Sequence, residues 1–231
     1  MPLKIYRGGT LNEEGEREQL SQLLEMISDN FDDRHKNTYL VIDPKFPGGS
    51  PQIDSLFYRE GRIVIFELKN IKGKFKPTTD EGPWKSINAD GTEIEIGKQY
   101  KNPFLQVKSQ RSYLINYISK TIRKRSVSKD KLVWKEIADK IGGWIVTAEG
   151  SEPTFKRHPN FFWSKVVPLD NVSKELSFIG TRDDDAITED EFKELLKQIE
   201  CIETTKSDAF LNGVVPKYES GRSPVIDKPI S

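Results

Sequence analysis

Pro51-Gln52-Ile53-Asp54-Ser55-Leu56-Phe57-Tyr58-Arg59, then Glu60-Gly61, then Arg62-Ile63-Val64-Ile65-Phe66-Glu67-Leu68-Lys69-Asn70 is the stretch that decides the fold of this chain. Two β-rich runs around a tight Glu-Gly turn predict an antiparallel hairpin, and the second run is apolar on both faces, as a strand covered on both sides must be. Alternation along that strand puts Ile63, Ile65, Glu67 and Lys69 on one face and Val64, Phe66 and Leu68 on the other. With the turn centred on Glu60-Gly61, or with a four-residue loop from Arg59 to Arg62, the pairing is the same and sets Asp54 opposite Glu67. Directly opposed residues have Cβ atoms about 4.5 to 5.5 Å apart, where like charges destabilise. Two carboxylates at the end of a buried strand therefore need a counter-charge, which Lys69 supplies in part and a divalent cation would supply more fully. The plainer reading, a hairpin salt bridge between Lys69 and one acid, leaves the second carboxylate buried without a partner.

Further motifs lie around the hairpin. Gly15-Glu16 falls early in a first helix, Phe66-Glu67-Leu68-Lys69-Asn70 is followed by Gly73, and Trp84 and Asn102-Pro103-Phe104-Leu105-Gln106 come next. Asp54 followed by Glu67-x-Lys69 resembles the signature of the PD-(D/E)xK superfamily, and the order of all these motifs is similar to its nuclease-related domain, or NERD, branch. The resemblance is strong from about residue 10 to 120 and fades after about residue 180. It implies an α/β fold of restriction-endonuclease-like type, with a mixed central sheet, an antiparallel hairpin and helices on both faces. It also implies a metal-dependent nuclease acting on nucleic acid, with DNA favoured over RNA and a homodimer as a common assembly. By the same resemblance Asp54, Glu67 and the Leu68 carbonyl hold Mg²⁺ or Mn²⁺, with Glu16 contributing through water. Lys69 then acts on the attacking water or on the charge of the transition state, and Gln106 positions water or Lys69. A noncatalytic nucleic-acid-binding or assembly module that retains the fold is the alternative.

Thirty-six basic residues balance thirty-six acidic ones, so net charge points to no partner and only the distribution of charge is informative. A single cysteine, Cys201, excludes an internal disulfide, and two histidines give no zinc site of recognisable spacing. These features fit a soluble, cytoplasmic protein without a membrane span.

Thr10-Leu11-Asn12-Glu13 reads as a capping box, opening a helix whose stripe is Leu20, Leu23, Leu24 and Ile27. Glu16 lies one turn before Leu20; it is either a solvated acid suited to a helix start or a site acid, with Glu13 as the spare on the same face. Thr38–Ile42 reads as the first strand, residues 71–101 as mostly irregular with a possible strand at 92–96, and Trp84 as a packed anchor rather than a stacking platform. Asn102-Pro103 opens a helix to about Ile122, with Val107, Leu114, Ile118 and Ile122 inward and Gln106, Gln110, Tyr113 and Tyr117 as a stripe beside them. Between Lys120 and Lys135 seven basic residues face one acid, and Arg123, Lys124 and Arg125 at its centre are candidate phosphate contacts, an ordinary solvated surface being the alternative. Residues 142–147 and 166–169 read as strands, the second at an edge, and Phe161-Phe162-Trp163 as aromatics closing over the sheet edge. Thr188–Ile199 reads as an acidic amphipathic helix. The expected organisation is a domain over 1–203 and an irregular tail or strap over 204–231.

Overall fold

A computed structural model describes residues 3–9, 14–31, 37–48, 50–96, 102–122, 131–156, 161–179 and 187–210; at 14–16, 131–134 and 210 the backbone alone is described. The strands in chain order are β1 (Lys4–Arg7), β2 (Thr38–Ile42), β3 (Ser55–Arg59), β4 (Arg62–Lys69), β5 (Lys74–Lys76), β6 (Lys85–Ile87), β7 (Glu93–Glu95), β8 (Ile141–Thr147), β9 (Glu152–Pro153), β10 (Ser164–Pro168) and β11 (Ile202–Thr204). The helices are α1 (Glu14–Phe31), α2 (Pro103–Tyr117, continued by a π-helical turn Ile118–Ile122), α3 (Lys131–Lys140), α4 (Val172–Ser177) and α5 (Glu189–Gln198).

Seven strands form one mixed sheet in the order β10-β8-β4-β3-β2-β1-β11, with β4 third from one edge. β3 and β4 make the antiparallel hairpin in the expected register, Ser55 opposite Phe66 and Arg59 opposite Arg62. On its other side β4 runs parallel to β8, with Glu67 beside Ile145 and Lys69 beside Thr147. Glu60 and Gly61 both take positive φ, 46° and 79°, as a tight hairpin turn of the strand-matching hand demands. Flanked on both sides, β4 is buried from Ile63 to Leu68.

Helices cover both faces. On one, Leu20, Leu23, Leu24 and Ile27 of α1 and Leu176 of α4 pack against Leu40, Phe57, Phe66 and Leu68. On the other, Leu114 and Ile115 of α2, Ile137 of α3 and Phe192 and Leu195 of α5 pack against Tyr39, Tyr58, Ile63 and Ile65. The α5 cap is a complete capping box between Thr188 and Glu191. At Gly143 α2 packs close on the sheet: a Cβ built there would stand 2.2 Å from Val107 Cγ1.

Two local expectations need correction. The first strand is β1, which pairs parallel with β2 and antiparallel with β11; four residues with basic ends carry too little periodicity to stand out. Residues 71–96 hold three strands that join β9 in a second sheet, in the order β7-β6-β5-β9, through pairings of only two or three residues each. Trp84 is its anchor, 2% exposed, stacked on Phe75 at 5.7 Å and donating Nε1–H to the Thr78 carbonyl. The far part of the basic run is helical, Lys131 and Lys135 lying on α3, where charged residues dilute the apolar stripe.

The second sheet is joined to α2 by the packing of Phe75 and Trp84 with Phe104 and Val107, and by hydrogen bonds from Asn102. The Asn102 side-chain oxygen caps the helix by accepting from Phe104 N–H at 2.9 Å. Its amide Nδ2 donates to the carbonyls of Asp80 at 2.8 Å, Gly82 at 2.9 Å and Thr78 at 3.3 Å. At the far sheet edge the chain from Ile202 to Phe210 is held on β1, Arg7 Nη1 donating to the Asp208 carbonyl at 3.3 Å with Ala209 buried. The Thr10–Glu13 capping box and residues 211–231 lie outside the described residues. No helix of the described residues is long and apolar enough to cross a membrane.

Candidate active site

Asp54 sits one residue before β3 and Glu67 near the end of β4, so the β3–β4 register brings their side chains to one place. Glu67 is fully buried and Asp54 is 3% exposed. Asp54 Oδ2 accepts a hydrogen bond from the Leu68 backbone N–H at 2.7 Å, while Oδ1 accepts none among the described residues. Glu67 Oε1 is paired with Lys69 Nζ, and Glu67 Oε2 accepts from Gln110 Nε2 at 2.5 Å. The same amide of Gln110 donates to the Gln52 carbonyl at 2.6 Å, which ties α2 to the segment leading into Asp54. Lys69 keeps 14% of its side chain exposed, so it stands between the buried acids and the surface.

The electrostatics follow from burial. The Asp54 carboxyl is pushed up to about 8, first by loss of solvation and then by the Glu67 charge, with Asp43 adding to the rise; the Leu68 N–H and Lys69 oppose it. Lys69 alone does not offset two buried carboxylates. An all-oxygen donor set with an open Asp54 Oδ1 fits a hard divalent cation, which takes carboxylate oxygens and keeps waters of its own. Among the described residues no cluster of three or more His, Cys, Asp or Glu that could hold a metal ion is present.

The raised proton affinity of Asp54 has a definite sign. An unfolded Asp loses its proton near 3.9, whereas folded Asp54 holds it to about 8. The folded state binds the extra proton between those values, so metal-free stability falls as pH rises from about 4 to 8 and levels off above. Asp54→Asn keeps an acceptor for Leu68 N–H and removes the titration. In EDTA, urea midpoints should show the variant gaining about 1 to 3 kcal/mol on the wild type between pH 5 and pH 9; parallel pH profiles for the two proteins would refute this.

Several expected residues fall elsewhere. Gln106 is half-buried one turn before Gln110, and its side chain makes no hydrogen bond among the described residues. The contact to Glu67 belongs to Gln110, because α2 crosses β4 nearer its middle than its start. Gln110→Leu should therefore lower any cleavage about 10- to 100-fold, and Gln106→Ala less than about twofold, in parallel rate measurements. The reverse order would restore Gln106 as the positioning residue. At Leu68 the backbone N–H donates to Asp54 Oδ2, so this residue is at the site beside the acid pair. The Glu16 side chain, Glu13 and the triplet Arg123, Lys124 and Arg125 lie outside the described residues. Near Glu16, Gln19 Nε2 of α1 donates to the Val146 carbonyl at 3.0 Å, which places the first turns of α1 by the carboxyl end of β8.

Asp43, which the sequence places directly after the strand Thr38–Ile42 and before Pro44, is part of the setting of Asp54. It is fully buried with φ of 45°, its N–H donates to the Asp54 carbonyl at 2.9 Å, and its Oδ1 pairs with Lys45 at 2.6 Å. It thereby holds the backbone that presents Asp54. A non-glycine residue in a left-handed conformation is the only signal, and it is invisible in sequence.

A mixed sheet covered on both faces, with an acid pair and a lysine where two central strands end, defines a restriction-endonuclease-like α/β protein. The family model for the nuclease-related domain matches residues 11–136, which is 126 of 231 residues and more than half of the chain. The chain belongs to the nuclease-related domain family. No curated protein and no solved structure matches it.

Proposed function

We propose that this chain is a metal-dependent nuclease that hydrolyses phosphodiester bonds in nucleic acid, with DNA as its polymer. The observation that carries this reading is the burial of Asp54 and Glu67 together with one lysine, in a nuclease-related chain. Two desolvated carboxylates are a poor way to stabilise a hairpin, where hydrophobes of similar volume do as well.

Asp54 through Oδ1 and Glu67 would hold Mg²⁺ or Mn²⁺, with Glu16 as a further acid through water. The ion, when bound, supplies Lewis acidity to water and to the scissile phosphate. Leu68 N–H fixes the Asp54 carboxylate, and Gln110 fixes that of Glu67, so neither turns away. Lys69, at the mouth of the site, neutralises Glu67 and presents its ammonium to the incoming phosphate, where it orients the attacking water or offsets charge in the transition state.

Labelled single- and double-stranded DNA and RNA, incubated with the chain in Mg²⁺, Mn²⁺ or EDTA, test this directly. Cleavage of DNA that stops in EDTA is the expected result. No cleavage of any polymer by folded protein, beside an active control nuclease, would instead define a noncatalytic nucleic-acid-binding module. We also assign phosphate contact to Arg123, Lys124 and Arg125, whose charge run follows α2. Their joint replacement by Ala should weaken binding to all sequences alike and flatten the dependence of log K on log salt by up to about three. An unchanged slope would return the run to ordinary surface.

A further inference from the structure

The opposite end of β4 carries a second concave site. A groove of about 510 Å³ opens beside Arg62, between the end of α3, the start of β8 and the end of α4. That volume lies within the range of small-molecule sites. Five residues separate Arg62 from Glu67 along β4, so the groove is about 17 Å from the catalytic acids at 3.3 Å per residue.

Three features of its lining point to one kind of ligand. The described residues contain three exposed large hydrophobics, and two of them, Phe162 at 65% and Phe178 at 76%, line this groove. Exposed aromatic side chains lining one groove suit a planar ring. Arg62 Nε is buried, and the Arg62 side chain has no acceptor or ion-pair partner among the described residues. A half-buried guanidinium with no acceptor or ion-pair partner, lining a groove, is a donor fork suited to an anion. Finally, the lining cations Arg62, Lys140 and Lys165 outnumber the acids Asp139 and Glu175. Lys165 is committed, paired with Glu175 at 2.5 Å and lying over the Trp144 ring at 4.7 Å, so the anion contact falls to Arg62.

We propose that this groove binds a nucleotide unit, its base against Phe178 or Phe162 and its phosphate on Arg62. The unit comes either from a free nucleotide or from the end of a strand. This site is separate from Asp54 and Glu67 and does not depend on their chemistry. Phe161 and Trp163, by contrast, are structural: both pack on Phe104, and Arg111 lies over the Trp163 ring at 4.6 Å.

The test is titration of the full chain with AMP in EDTA, read by calorimetry and by the emission of Trp144 and Trp163. Saturable binding with a change in emission is expected, with adenosine and inorganic phosphate each at least tenfold weaker. Arg62→Gln and Phe178→Ala should each weaken AMP at least tenfold without moving the urea midpoint; Phe178 is exposed enough that its variant folds. Absence of saturable binding, equal binding of adenosine and AMP, or wild-type affinity in both variants would overturn the proposal. A 5′-phosphorylated single-stranded oligonucleotide that displaces AMP identifies a strand end as the source, and failure to displace it identifies the free nucleotide. Asp54→Asn should bind AMP as the wild type does, whether or not the chain cleaves DNA. Loss of AMP binding in that variant would place the nucleotide at the catalytic acids and overturn the second site.

Discussion

Lys69→Ala should lower cleavage about 10²- to 10⁴-fold while leaving Mn²⁺ binding measurable by calorimetry, whereas Asp54→Ala should lose both. The difference follows from where the groups stand. Asp54 has an oxygen open to a cation, while Lys69 pairs with Glu67 and faces the approach to the site. Removing the lysine takes away the cation paired with Glu67 beside two buried carboxylates. Metal-free stability should drop by about 1 to 3 kcal/mol and recover when divalent metal is added. A lysine serving only as a structural ion-pair partner would show the drop without the metal-dependent recovery. Cleavage by Lys69→Ala within tenfold of the wild type would remove Lys69 from the chemistry.

Gly143→Ala should destabilise the fold by about 1 to 3 kcal/mol and reduce cleavage with it. The new methyl would meet Val107 Cγ1 at 2.2 Å, and Val107 is fully buried. Neither β8, inside the sheet, nor Val107, locked in the core, has space to yield, so α2 must back away. Gln110, three residues on from Val107, then leaves Glu67. Val107→Ala removes the offending methyl groups, so the double variant should recover part of the stability, with a coupling of about 0.5 to 3 kcal/mol in a urea-denaturation cycle. Strictly additive effects would show that the two positions do not press on each other.

The hairpin was legible because it is local: a turn at Glu60-Gly61 and period-2 alternation fix both pairing and facing, which carries Asp54 to Glu67 without further information. Helix faces were legible too, as for Phe192, Leu195, Leu196 and Ile199 of α5, all buried. Position along a helix axis was not. Gln106 and Gln110 share a stripe, and the one that meets Glu67 is set by where α2 crosses β4, a tertiary fact fixed in part by the missing side chain at Gly143. The second sheet was hidden for a different reason. Strands of two or three residues repeat no pattern, and what holds them is Trp84 on Phe75 and backbone pairing. The Arg62 groove is likewise assembled from residues far apart in the chain.

The junction at Asn102 bears on how such a chain can diverge. One amide grips three carbonyls, and carbonyls belong to the backbone, present whatever residue carries them. Exposed positions of the strands from Lys74 to Glu95, such as Ile94, can therefore change while the attachment to the helix that carries Gln110 persists, held by this one backbone-directed amide and by the packing of Phe75 and Trp84 with Phe104 and Val107.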